Sequence, residues 1–197
     1  MRIGIIGAGT IGTVLAKKLI AAGYQVEISN SRGPNSLKDL VNELGANVKA
    51  VDAKTAAANE IVILAIRWAD VEQTLKKIAA PLSGKILIDV TNPVIGLREI
   101  ADLHGSTSSE VVASYVPGTQ VVKAFNTLKG QWLNDSLTDT NNNRVVFLSG
   151  NDTRANAKVA QMTTDMGFTP IELGNLFIGG MVQEYGKPLA LKNLLLI

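Results

Sequence analysis

The chain begins with the apolar run Arg2-Ile3-Gly4-Ile5-Ile6, which passes directly into Gly7-Ala8-Gly9-Thr10-Ile11-Gly12. A strand that ends in G-x-G-x-x-G and reopens as a helix leaves few folds available. Gly7 permits the tight turn, Gly9 keeps side-chain atoms away from whatever approaches the backbone, and Gly12 lets the helix pack close to the sheet. The helix N-terminus then presents unpaired N–H groups and about half a positive charge. The pattern predicts that Gly7, Gly9, Thr10, Ile11 and Gly12 hold the pyrophosphate of a dinucleotide.

The rest of the 197 residues alternates strand-length apolar runs with segments of helical period. Strands are expected at 2–6, 24–29, 48–50, 61–66, 85–90, 120–125, 144–149 and 169–173. Helices are expected between them, with a last one near 188–197. The run Ile61 to Ile66 is apolar at every position, as in a parallel strand covered on both faces. The expected fold is therefore α/β: one Rossmann-type domain over residues 1–197. It is a doubly wound, mostly parallel sheet with helices on both faces and strand order 3-2-1-4-5-6, and the later strands extend one edge. Residues 174–197 are expected to form a tail and helix that closes the cleft or makes a dimer contact. The terminal Leu189, Leu191, Leu194, Leu195, Leu196 and Ile197 are too apolar to stand in water.

Composition removes several function classes. A net charge of +2 with scattered basic residues does not favour nucleic acid. With no Cys and one His, the chain has no disulfide, no cysteine nucleophile and no zinc site of Cys or several His. The apolar runs are shorter than the roughly 20 residues of a membrane helix. The N-terminus reads as entering a strand without a leader segment. A soluble cytoplasmic protein with no membrane or nucleic-acid partner is the expectation.

The second strand decides which dinucleotide. NAD sites place Asp or Glu about 20 residues beyond the glycines, on the ribose 2′-hydroxyl. Here that place holds Asn30, flanked by Ser29 and Ser31 and followed by Arg32. No carboxylate is there to repel a 2′-phosphate. Ser31 can donate a hydroxyl hydrogen bond and Arg32 a forked, charge-assisted contact. Asn30, Ser31 and Arg32 thus point to NADP(H).

Ligands of open parallel sheets sit at the carboxyl ends of the strands. Ala65, Ile66, Arg67 and Trp68 end the fourth strand, Asn92 and Pro93 follow the fifth, and Ala124, Phe125 and Asn126 end the sixth. Trp68 either walls the cofactor or covers apolar surface. Asn92 and Asn126 each carry a donor and an acceptor, as recognition of a nicotinamide carboxamide requires, although Asn is also a turn former. Phe125 reads as core, and His104, in a Leu-His-Gly loop, as solvated. Gly179 and Gly180 allow a close backbone approach to a second ring or form a turn.

These segments carry a family resemblance. Gly7 to Gly12, Ser31-Arg32, Asp89-Val90-Thr91-Asn92-Pro93, Val122-Lys123-Ala124-Phe125-Asn126 and Met166-Gly167-Phe168-Thr169-Pro170 resemble the NADPH-dependent coenzyme F-420 reductases. They are also similar to the cytoplasmic reductase domains of six-transmembrane ferric reductases. The resemblance implies hydride transfer between NADPH and a flavin or 5-deazaflavin. It places Ile66, Trp68, Asn92, Ala124 and Asn126 near the cofactor, and it suggests a homodimer.

The acceptor stays open between coenzyme F-420, FMN and FAD. No Ser/His/Asp set or tyrosine-lysine pair stands at the expected strand ends. That suits transfer between two rings, which needs alignment rather than a side-chain acid. A dehydrogenase of small imino or hydroxy acids and an NADPH-binding sensor without turnover are the alternatives.

Overall fold

Ile61 and Ile63 join the core on one side of strand β4 (Ile61–Leu64), Val62 and Leu64 the core on the other, and all four are fully buried. This two-sided burial organises the chain, seen here in a computed structural model that describes residues 1–97, 99–135 and 143–196. The first layer packs β1 (Arg2–Ile6), β2 (Gln25–Ser29) and β4 against Leu15 and Leu19 of α1 (Thr10–Ala21) and Val159 and Met162 of α7 (Thr153–Asp165). The second packs Val62 and Leu64 against Leu75 and Ile78 of α4 (Val71–Leu82) and Val112 of α5 (Ser108–Tyr115).

The main sheet runs β3 (Val48–Ala50), β2, β1, β4, β5 (Ile86–Asp89), β8 (Gln120–Ala124), β9 (Asn143–Gly150), β10 (Phe168–Glu172). Two short helices, α2 (Lys38–Leu44) and α3 (Ala53–Ala57), stand on either side of β3 in the chain, and α3 packs on β1 and β2. From β3 to β8 every pairing is parallel, in the expected 3-2-1-4-5-6 order. The order reverses between β1 and β4, so a crevice opens at their carboxyl ends. A small hairpin, β6 (Val94–Ile95) with β7 (Glu99–Ile100), stands beyond the end of β5.

The later strands depart from a uniformly parallel sheet. β9 is antiparallel to β8, and β10 returns parallel to β9. A parallel return needs a crossover of a dozen or more residues, usually a helix laid along the sheet. The described helix between β8 and β9 is α6 (Gly130–Asn134), five residues that pack on α1. It is too short for that role.

The expected terminal helix near 188–197 is not there. The last helix is α8 (Leu176–Gln183), which contains Gly179 and Gly180, and residues 187–191 are turns. β11 (Leu195–Leu196) lies antiparallel to β9, with Leu195 opposite Arg144. The reason is an edge left unpaired. β8 meets β9 only at residues 148–150, so the start of β9 offers backbone groups to the chain end. The sequence also reads as a polar loop through Asn141-Asn142-Asn143; Asn143 opens β9, while Asn141, Asn142 and Ile197 lie outside the described residues.

The glycine pair of α8 also has a different role from the one expected. A β-carbon on Gly179 would collide with Ser149 Cβ, and one on Gly180 would come within 2.5 Å of Thr107 Cβ. The close approach is helix to strand and helix to loop, not backbone to ligand. Alanine has the higher helix propensity by about 1 kcal/mol, but overpacking costs about 1–3 kcal/mol. Gly179→Ala is therefore expected to lower the urea midpoint, whereas a gain in stability would show that α8 is held loosely.

Candidate functional site

The phosphate turn separates the roles of its three glycines. Gly7, at φ 110°, has its N–H on Ser29 O, and a β-carbon there would strike the Ala65 carbonyl and lie 2.9 Å from Ile66 Cγ2. One on Gly12 would strike the Gly7 carbonyl. These two are excluded from being larger by backbone packing. Gly9 has no atom within 4 Å of that position. It is exposed and precedes α1 with no side-chain cap, so no capping side chain takes up the first N–H groups of the twelve-residue helix. An open cradle of backbone donors fits a pyrophosphate. Thr10 is exposed and Ile11 half-buried beside it. Gly130 of α6 sits against both, 2.9 Å from Thr10 Cγ2 if it carried a β-carbon.

At the end of β2 the Asn30 side chain shapes the loop. Its Oδ1 accepts the Arg32 N–H at 3.0 Å, and its Nδ2 donates to Ser36 Oγ at 2.9 Å. Ser31 and Arg32 stand exposed on that turn, and the Arg32 guanidinium has no ion pair among the described residues. A fork of donors next to an acid-free strand end fits a phosphate ester. Asn30 thus acts on the loop, while Ser31 and Arg32 face outward.

The β4 end contributes mostly shape. Ala65 and Ile66 support the glycine turn. The Arg67 guanidinium pairs with Asp70 at 2.9 Å and is largely exposed, a surface contact of about 0–1 kcal/mol that restrains it little. Trp68 is half-buried against the α4-side core, so part of its ring covers apolar surface.

Asn92 and Asn126 meet directly. Asn92 Nδ2 donates to the Asn126 carbonyl at 2.9 Å, and Asn126 Nδ2 donates to Asn92 Oδ1 at 3.2 Å and to the Gln183 carbonyl at 2.8 Å. The Tyr185 N–H also reaches Asn92 Oδ1, at 3.0 Å. Both side chains therefore tie β5, β8 and the segment after α8 together. One acceptor is left over: Asn126 Oδ1 is buried and has no hydrogen-bond partner. Pro93 is buried. Ala124 is wholly buried in the core, so its methyl does not line an open cleft. Phe125 is core, edge-on to Phe168 at 6.2 Å, and holds φ at 61°, a left-handed backbone that turns the chain between Ala124 and Asn126. His104 is exposed beside Asp102.

Beneath this corner lies a group of residues whose joint role sequence reasoning missed. Lys123 Nζ, fully buried, donates to Asp89 Oδ2 at 3.0 Å, the Thr91 carbonyl at 2.7 Å and Ser108 Oγ at 2.9 Å. Asp89 is equally buried and accepts from the Thr91 N–H, the Thr91 hydroxyl and the Ser109 hydroxyl. Glu184 Oε1 accepts the Ser108 N–H at 2.5 Å and the Ser108 hydroxyl at 2.7 Å. The network joins β5, β8, α5 and the turn after α8. The available signal was a charged residue, Asp89 and Lys123, within each of the expected strands 85–90 and 120–125, since a buried charge requires a partner.

The comparisons with known proteins agree with this frame. Residues 2–93 match the model of the family described as NADP oxidoreductase, coenzyme F420-dependent. A hypothetical protein from Sinorhizobium meliloti is 39% identical and superposes with a TM-score of 0.93, over 100% of this chain and 97% of that one. A candidate F420-dependent NADP reductase from Arthrobacter is 28% identical, with a TM-score of 0.78 over 89% of this chain and 86% of the other. Metalloreductase STEAP3 of Rattus norvegicus is 32% identical over 175 residues, 89% of this chain and 34% of that protein. The chain spans about a third of the length of the curated relatives it matches.

Removing one partner of a buried pair costs about 3–5 kcal/mol, because the other charge is left unsolvated. Lys123→Met is expected to lower the unfolding free energy by that amount in urea titration. A loss under about 1 kcal/mol would mean that water reaches Asp89.

Proposed function

We infer that this chain, which belongs to the family of coenzyme F420-dependent NADP oxidoreductases, transfers a hydride between NADPH and a flavin or 5-deazaflavin ring. The observation that carries the cofactor half is the open backbone cradle at Gly9 beside the acid-free loop that presents Ser31 and Arg32. Gly7 to Gly12 receive the pyrophosphate on the N-terminus of α1. Ser31 and Arg32 take the 2′-phosphate, with Asn30 holding their turn. Asn126 Oδ1, buried and unpaired, accepts from the nicotinamide carboxamide, and this fixes which ring face is presented. Ile66 and Trp68 flank the ribose and ring. NADPH supplies the hydride.

The chain's own contribution is alignment and exclusion of water. Two rings must stand about 3–3.5 Å apart for direct transfer. The corner formed by Asn92, Asn126 and Tyr185 has three chain segments bound to one another, so it provides a rigid wall for the second ring. Coenzyme F-420, FMN and FAD all fit this chemistry, and none requires a proton donor on the protein for the hydride step.

The proposal extends to assembly. α8 exposes Phe177, Ile178 and Met181 on one face, each more than 40% accessible. A second copy of the chain packed there, in a homodimer, would cover them. Among the described residues no helix is long and apolar enough to cross a membrane.

Arg32→Ala is expected to weaken NADPH by about tenfold or more and to leave NADH almost unchanged, as read by fluorescence titration. Equal losses would remove the 2′-phosphate assignment. Anaerobic oxidation of NADPH against F-420, FMN, FAD and ferric chelates tests the acceptor. Activity with a small imine or carbonyl and none with any flavin would replace it.

A further inference from the structure

The segment after α8 folds into successive turns and leaves a recess of about 540 Å³. Lys187 and Lys192 line it with Tyr185 and Leu191, and no carboxylate is among the lining residues. Among the described residues neither lysine forms an ion pair. The recess is anchored to the candidate site at both ends. The Tyr185 N–H is bonded to Asn92 Oδ1 at 3.0 Å, and the Leu191 N–H to the Thr127 carbonyl at 2.9 Å. Its wall is braced internally by Lys187 N–H on the Glu184 carbonyl and Leu189 N–H on the Val182 carbonyl. Leu191 holds φ at 56°, an uncommon conformation for a branched side chain, and the Thr127 bond keeps it there. A fixed, acid-free recess with two cations opens beside the corner where the acceptor ring would stand.

We propose that this recess is an anion site for the phosphate on the side chain of the ring acceptor, with Lys187 and Lys192 as its ligands. The proposal rests on the acceptor reading given under the proposed function and adds which residues recognise the phosphate that coenzyme F-420, FMN and FAD share. The recess is broad and open to solvent, which suits a charged phosphate rather than an enclosed apolar ring. Two ammonium groups beside one phosphate attract it as point charges, so the preference falls as salt rises. The ring binds in the Asn92–Asn126 corner, and its ribityl-type chain runs along Tyr185 toward the lysines. The site sets acceptor affinity and orientation and takes no part in the hydride step.

The test compares FMN with riboflavin, which share a ring and differ by the phosphate, as acceptors for NADPH. In the wild-type protein kcat/KM for FMN should exceed that for riboflavin by roughly tenfold or more at low ionic strength, as two charge-assisted contacts imply. In the double variant Lys187→Gln/Lys192→Gln that ratio should fall toward one, through KM rather than kcat. The dissociation constant for NADPH should stay as in wild type, which distinguishes an acceptor phosphate from a cofactor phosphate in the recess. Equal kcat/KM for the two flavins in the wild type would overturn the anion site and leave the flavin reading standing. A variant with weaker NADPH binding and an unchanged flavin ratio would overturn it too, and would assign the recess to the cofactor. If the protein reduces neither a flavin nor a 5-deazaflavin, the acceptor reading falls and this site falls with it.

Discussion

The ammonium of Lys123 is the constraint on which the Asn92–Asn126 corner of the molecule depends. A charge placed between two interior strands costs several kcal/mol unless every hydrogen finds an acceptor. Here it meets Asp89, the Thr91 carbonyl and Ser108, which belong to the end of β5, the turn after it and the first turn of α5. Any slip of β8 against β5 would break these contacts inside a low-dielectric core. The strand ends are therefore held in one register, and the loops that leave them are held as well. Ser108 passes the constraint to Glu184, so the turn after α8 is locked to the same point.

The two halves of the candidate site are built by different means. The nucleotide half is local. Residues 2–12 form strand, turn and helix in one continuous stretch, and Gly7 and Gly12 are excluded from growing by backbone atoms nearby. The loop at 30–36 is equally local, closed by Asn30 on Arg32 and Ser36. The other half, around Asn92 and Asn126, is assembled from segments far apart in the chain. Asn92, Asn126, Gln183 and Tyr185 come together because the buried network below them fixes the ends of three elements. A backbone cradle combined with a side-chain wall divides the work on physical grounds. The first is made of main-chain atoms and tolerates no larger residue at its two packed glycines; the second is made of side chains and turns, which can vary without disturbing the sheet.

The ends of the chain show how edge strands are managed. A strand edge that ends early leaves unpaired backbone groups, and those groups recruit whatever extended segment is near. β8 covers only the last residues of β9, and Leu195–Leu196 occupy its beginning. This pairing draws the chain end back across the strand ends and so shapes the recess at Tyr185 to Lys192. The terminal leucines, read in isolation, have the composition of either an apolar helix or a strand. The neighbouring edge chooses between them.

Sequence alone determined the features that are short-range. Unbroken apolar runs such as Ile61 to Leu64 marked the central strands as a parallel set, since burial on both faces demands them. The glycines at 7, 9 and 12, and the missing acid at Asn30, set the local shape and charge of the first crevice, because backbone geometry and charge act within a few residues. Only the tertiary structure decided the reversal at β9, the helical state of Gly179 and Gly180, and the engagement of Asn92 with Asn126. Each of these depends on what arrives from elsewhere: the short α6 as the described helix before β9, Ser149 and Thr107 beneath α8, and a buried lysine that orders two strand ends. Contacts of that kind carry at most a partial local signature, such as a charge within an apolar strand, because the same residues would satisfy several folds until their partners are in place.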